Sequence, residues 1–186
     1  MASFTRKAIM DSFIKLLNER PLNQITVKDI VEDCGVNRNS FYYHFADIPT
    51  LLNQIVTEHA DRIIEEHASA SSLEECVAAM VEFSLENKRA ALHIFRSANR
   101  DLLERHLLYI CQHMVTAYAQ AVFGQVDISE SDKEILSRFY KCQCFGQTIE
   151  WLTSGMSYDI VAQFHRLGEL RVADPAEIIN RCTREN

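Results

Sequence analysis

Thr26-Val-Lys-Asp-Ile-Val-Glu-Asp-Cys-Gly-Val-Asn-Arg-Asn-Ser-Phe-Tyr-Tyr-His-Phe45 is the stretch on which the reading of this chain turns. Thr26 suits a helix N-cap, and Asp29 stands three residues on, where it can return the bond. Val27, Ile30, Val31 and Cys34 follow at i, i+3, i+4 and i+7, which predicts a short helix with one buried face. Gly35 comes directly after, where a left-handed cap is wanted. Asn37 then caps a second short helix that ends near Phe45. Upstream, Ile9, Met10, Phe13, Leu16 and Leu17 recur at helical spacing, so Thr5 to Glu19 reads as a helix closed by Arg20-Pro-Leu-Asn23. Two short helices meeting at the tight turn Asp33-Cys-Gly-Val36, behind a first helix, have the layout of a helix-turn-helix unit.

Such a unit braces a duplex with its first short helix and points the N-terminal end of the second at base edges. Arg38 offers a bidentate donor pair to guanine, and Asn39 a matched donor and acceptor to adenine. Ser40, Tyr42 and His44 can reach phosphates, as can Thr26 and Lys28, and Tyr43 is counted with them as a DNA contact. Phe41 and Phe45, four apart, are expected to pack inward and hold this helix on the first. Taken alone, a tyrosine-rich helix reads as core; the motif around it turns the reading toward DNA.

Thr26-Val-Lys-Asp-Ile-Val, Cys34-Gly-Val and Ser40-Phe-Tyr-Tyr-His-Phe45 together resemble the signature of the TetR family of tetracycline-repressor-like regulators, over about residues 5–52. The resemblance implies that a fourth helix links the DNA-binding unit to a ligand-binding and dimerising bundle. It also implies that the last two long helices form a four-helix interface with their mates. One departure stands out. Many members carry a phosphate-contacting lysine at the start of the fourth helix, whereas this chain has Ile48 followed by Pro49.

The rest of the chain continues helical. Asp47-Ile-Pro49 starts a long helix to about His67. Ser72-Leu-Glu-Glu75 and Ser131-Asp-Lys-Glu134 read as capping boxes. Between them lie helices to about Asn87, from Arg89 to Ala98 and from Arg100 to Phe123, then a loop from Gly124 to Ser129. The helix opened by the second box ends at Gly155. Ser157 opens another to about Leu170, and Asp174-Pro175 a last short one. Five glycines, three prolines and few Val/Ile/Thr runs agree with an all-α fold. The expected division is a DNA-binding domain over 1–46 and a regulatory and dimerisation domain over 47–186. The formal net charge of −7 argues at first against a nucleic-acid partner. Residues 1–46, however, hold six Lys/Arg against five Asp/Glu, and the remainder thirteen against twenty-one, so the acidity belongs to the larger part. No apolar run could span a bilayer, and the N-terminus has no export-type segment, so the expectation is a cytoplasmic protein without a membrane partner. Its six cysteines are then expected as reduced thiols.

For the larger part, a largely apolar effector pocket is expected from His59, Ile63, Met80, Phe83, Phe95, Leu103, His106, Ile110 and Phe145. A dimer interface is expected from Ile135, Phe139, Cys142, Gly146, Ile149 and Thr153, paired with Ile160, Phe164 and Leu167 of the next helix. A glycine inside a helix costs about 1 kcal/mol against alanine, so Gly146 calls for a packing reason. His106 and His113 fall on one side of their helix and could point into a cavity. Cys142 and Cys144, two apart, project about 200° apart and share a metal poorly. No metal and no cofactor is expected. Redox sensing finds no cationic cluster to activate a thiol. No glycine-rich phosphate loop, Gly-x-Ser-x-Gly or His-Glu-x-x-His supports an enzyme. The leading reading is a homodimeric repressor that binds a palindromic operator on double-stranded DNA and is released by a small apolar effector. Its rivals are a regulator or coactivator answering to a protein partner, a small helical enzyme, and a purely structural helical module.

Overall fold

The computed structural model describes residues 2–66, 73–123 and 129–170. Among these the secondary structure is helical, with no strand: α1 (Ala2–Glu19), a 3-10 turn (Leu22–Gln24), α2 (Val27–Cys34), α3 (Arg38–His44), α4 (Ile48–Glu66), α5 (Leu73–Glu86), α6 (Lys88–Phe95), α7 (Arg100–Phe123), α8 (Glu130–Thr153) and α9 (Ile160–Glu169). None of the described helices is long and apolar enough to cross a membrane.

Four helix starts differ from the sequence reading: α1 begins at Ala2 rather than Thr5, α6 at Lys88 rather than Arg89, and α8 and α9 are also displaced. α8 is capped by Ser129 rather than Ser131: the Ser129 hydroxyl accepts the Asp132 N–H at 3.1 Å. Both serines stand three residues before a carboxylate, so spacing alone does not choose, and the upstream start adds half a turn of helix. α9 begins at Ile160, with Asp159 accepting the Ala162 N–H at 3.0 Å. Ser157 is left outside because Gly155 and Met156 take left-handed φ values of 76° and 56°. The Met156 N–H reaches Trp151 O and the Gly155 N–H reaches Leu152 O, the paired bonds that close a helix C-terminus. The box at Ser72, the loop from Gly124 and the short helix at Asp174 lie outside the described residues, Ser129 at the loop's end excepted. α6 stops at Phe95, short of the expected Ala98.

The chain forms two compact units, one of Met1–Ala60 with Phe83–His106, the other of Asp61–Glu82 with Leu107–Asn186. The core of the first joins α1, α2, α3 and the start of α4 to α6, through Phe13, Ile30, Phe41, Leu51, Ala90 and Ile94 among others. Each large apolar side chain buried here contributes about 1.5–3 kcal/mol. α6 is bonded to the end of α1: the Asn18 amide donates to Asn87 at 3.0 Å and its oxygen accepts the Ala90 N–H at 3.1 Å. His93 Nδ1 meets Leu17 O at 2.7 Å. In the second unit Met114 and Val115 of α7, Tyr140, Cys144 and Trp151 of α8, and Ile160 and Phe164 of α9 are buried. Tyr118 and Tyr140 meet edge to face at 5.6 Å, and the Trp151 indole N–H donates to Tyr158 O at 2.8 Å.

Candidate nucleic-acid interface

The local chemistry of residues 26–45 fixes a rigid helix-turn-helix. Thr26 and Asp29 form the reciprocal cap, the Thr26 N–H donating to the carboxylate at 2.8 Å and the hydroxyl accepting the Asp29 N–H at 3.3 Å. Gly35 turns the chain at φ 68°, a conformation that a side chain would strain. The Asn37 side chain accepts the Ser40 N–H at 2.8 Å and caps α3. Ion pairs fasten the unit from outside, Lys15 with Asp33, and Arg20 with Asp29 at 3.3 Å. Hydrogen bonds from Thr26 hold the Asp29 carboxyl below the usual carboxylate range. Those from Lys15 and Ser12 do the same for Asp33.

α3 is thereby split into two faces. Phe41 and Phe45, at 0% and 1% exposure, face the core as the four-residue spacing predicts. On the other side Arg38, Asn39, Tyr42 and Tyr43 are exposed, the two tyrosines at 56% and 79%. Arg38 and Asn39 have no hydrogen-bond or ion-pair partner among the described residues. An exposed aromatic pair beside an unpaired guanidinium and amide, on a helix whose back is locked into a core, can donate to phosphates and base edges with little reorganisation.

The remaining DNA candidates are placed differently. His44 is half-buried, edge-on to Tyr43 at 4.9 Å. Lys28 is exposed and only loosely paired with Glu32, at 3.7 Å. Thr26 and Ser40 are engaged within the fold. The Thr26 hydroxyl donates to Asp29 at 2.6 Å, and the Ser40 hydroxyl to Asn37 at 3.1 Å. A phosphate contact from either must displace that bond. Asp47 caps α4 through the Thr50 N–H at 2.7 Å, and hydrogen bonds from Thr50 lower its carboxyl pKa. Ile48 packs against the core, so this position adds no cation to the surface.

The pocket residues do not fall in one unit. His59, Phe95, Leu103 and His106 belong to the first, and Ile63, Met80, Ile110 and Phe145 to the second. The side chain of Phe83 lies outside the described residues. His106 is engaged on both nitrogens, with Leu102 O at 2.8 Å and Thr57 Oγ1 at 2.9 Å. A cavity of about 320 Å³ within the second unit is lined instead by Ile64, Gln112, His113, Met114, Thr116 and Ala117. His113, raised by its position on α7, is therefore at a cavity wall. Of the interface candidates, Ile135, Phe139, Cys142, Gly146 and Thr153 are exposed along α8, and Ile149 and Leu167 are half-buried. Ile160 and Phe164 correct the expectation: at 1% and 5% exposure they belong to the core of their own chain. An apolar stripe at helical spacing reads the same whether it faces its own core or a partner. Cys144 is buried while Cys142 is exposed, as residues two apart on a helix must be. Among the described residues no three His, Cys, Asp or Glu side chains are grouped to hold a metal.

A helix-turn-helix with a donor-rich outer face, followed by a larger helical body, defines a DNA-binding regulator. Comparison with known proteins makes the class specific. The family model for bacterial regulatory proteins of the tetR family matches residues 9–55, and a TetR model for the C-terminal region of transcriptional regulators matches residues 71–170. The chain belongs to the TetR family of transcriptional regulators, which bind DNA, act as dimers and are in general non-enzymatic. It is 25% identical over 162 residues to an uncharacterised HTH-type transcriptional regulator, YxbF, of Bacillus subtilis (strain 168). That match covers 83% of this chain but 41% of the relative, so the chain spans well under half of that protein's length. Among solved structures, the dihydroxyacetone kinase operon activator DhaS superimposes with a TM-score of 0.77 at 19% identity, over 92% of this chain and 96% of its own. FadR from Bacillus subtilis, in complex with stearoyl-CoA, gives 0.59 at 18%, over 88% and 96%. NalD, the secondary repressor of the MexAB-OprM multidrug efflux pump in Pseudomonas aeruginosa, gives 0.58 at 16%, over 98% and 96%. At these identities the likeness speaks for the fold alone.

Proposed function

We propose that this chain binds a two-fold-related operator as a homodimer, reading it with α3, and represses transcription until an effector in the region beyond residue 46 releases it. The observation that carries the DNA reading is the division of α3 itself. Phe41 and Phe45 lock its back, leaving Arg38, Asn39, Tyr42 and Tyr43 exposed on its front. Lys28 supplies a phosphate contact from α2, and Thr26, Ser40 and His44 flank it. The working compartment is the cytoplasm. Release requires an effector whose affinity differs between the binding and non-binding arrangements. Selection of bound DNA from a random library, at defined salt, tests the reading. A palindrome with half-sites about one helical turn apart, roughly 34–36 Å, is the expected result. Enrichment of no sequence, or of a single unpaired half-site, speaks against it.

A second reading replaces the small effector by a protein partner, and one observation favours it. Of the eight pocket candidates whose side chains are described, none lines the 320 Å³ cavity. Reporter transcription from the selected operator, with and without the protein, separates repression from activation.

A further inference from the structure

We propose that Arg6 is a positioning residue for operator binding, clasping α1 to α4 across the end of the recognition helix; the proposal rests on the reading of α3 as the operator-binding element. Three contacts meet at its guanidinium. One nitrogen donates to Gln54 at 3.0 Å, another to Glu58 Oε2 at 3.2 Å, with a closer ion pair to the second Glu58 oxygen. The same guanidinium lies 5.7 Å from the ring centre of Phe45, the residue that caps the C-terminus of α3. Gln54 and Glu58 are one turn apart on α4, so the planar fork of Arg6 spans a full turn of that helix.

An exposed ion pair by itself contributes little to stability. This one differs in what it joins. α3 is seven residues long and is followed, after Phe45, by only Ala46 and Asp47 before α4 begins. Its direction is therefore set by what it packs on and by how α1 and α4 are held against each other. Arg6 touches both of these determinants, the ring at the end of α3 and the face of α4. With its charge directed to Glu58, its role is orientation rather than phosphate neutralisation.

The two roles predict opposite signs for Glu58→Gln. Removing an anion from a DNA-binding unit strengthens association when only charge matters. Breaking the clasp weakens it. Operator titrations at fixed salt, on the sequence selected by the wild-type protein, are expected to show Arg6→Gln and Glu58→Gln each about three- to ten-fold weaker. The double variant should be no weaker than either one, as for residues acting as a pair. The slope of affinity against salt should stay that of the wild type in Glu58→Gln and in Arg6→Gln, whereas loss of a phosphate contact lowers it by about one. Melting curves check that the variants fold. Should a single variant unfold, the exchanged pair Arg6→Glu with Glu58→Arg is expected to restore both folding and binding. Equal or tighter binding by Glu58→Gln, additive losses, or a lowered salt slope in Arg6→Gln overturns the proposal. Arg38→Ala serves as the control: if the wild type selects no operator, or Arg38→Ala binds it equally well, the operator reading itself fails and the clasp falls with it.

Discussion

Thr57 and Glu58 are neighbours on α4 but bond in different directions. Thr57 Oγ1 meets His106 Nε2 of α7 at 2.9 Å, while Glu58 takes Arg6 of α1. The Leu102 carbonyl can only accept, so His106 Nδ1 carries the proton of that 2.8 Å bond. The contact between Thr57 Oγ1 and Nε2 links α4 to α7. Thr57→Val keeps the shape and removes the bond, which is expected to lower stability by about 1 kcal/mol. Denaturant unfolding measures it, and an unchanged midpoint would show the link to be inert.

Arg38 and Lys28 are both exposed cations, yet they are expected to fail differently when truncated. Arg38 stands at the first turn of α3 without a partner among the described residues, where it can meet a base edge. Arg38→Ala should cost about 1–3 kcal/mol of operator binding and relax the base preference at one position in each half-site. Lys28→Ala should weaken all sequences evenly and lower the salt slope by about one. Competition between operator and mutated operators, repeated at several salt concentrations, reads both effects. Equal binding by Arg38→Ala and wild type would remove α3 from the role given to it.

Asp29, Asp33 and Asp47 all have carboxyl pKa values lowered by hydrogen bonds to their ionised forms. Each binds a proton less readily folded than unfolded. Their contribution is complete above the ordinary carboxylate pKa of about 4 and is lost as pH falls through the lower folded-state values. The first unit should therefore lose stability below about pH 4. In Asp29→Asn, which keeps an acceptor for the Thr26 N–H, melting should depend less steeply on pH in that range. Identical slopes for the two proteins would mean that the cap does not govern acid unfolding.

Local rules made the first unit legible where its features are short-range. The Thr26 cap, the Gly35 turn, the Asn37 cap and the inward pair Phe41 and Phe45 all follow from spacings of three or four residues, and the structure contains each. What escaped lies at long range or depends on direction. The lodging of α6 against α1 joins Asn18 to Asn87 and Ala90, and nothing in either segment marks the other as its partner. The commitment of the Thr26 and Ser40 hydroxyls was open to inference, because a hydroxyl that donates to its own cap has no second proton for a phosphate. On α9 the spacing marks Ile160 and Phe164 as an apolar face, and the structure buries both in their own chain. Periodicity reports that a face is buried, not what buries it.

Gly146 carries the prediction for the dimer. It is exposed in the middle of α8, and a Cβ built there meets nothing within 4 Å. Packing among the described residues thus does not require the glycine, although it costs the helix about 1 kcal/mol. Ile135, Phe139 and Cys142 lie exposed toward the N-terminal end of the same helix, Ile135 and Phe139 at 59% and 48%. An exposed apolar run leading to a glycine suits close approach of another helix backbone, and a two-fold axis places the same face of the mate against it. With Ile160 and Phe164 turned inward, α8 supplies most of this surface, and Leu167 is the remaining candidate on α9. Gly146→Leu should therefore fold with its helix content intact, since the space around it is open within the chain. It should shift dimer to monomer and abolish operator binding, because a single half-site contact forfeits the second. Sedimentation at micromolar concentration, with circular dichroism on the same sample, decides the matter: a variant that remains fully dimeric would place Gly146 outside the interface.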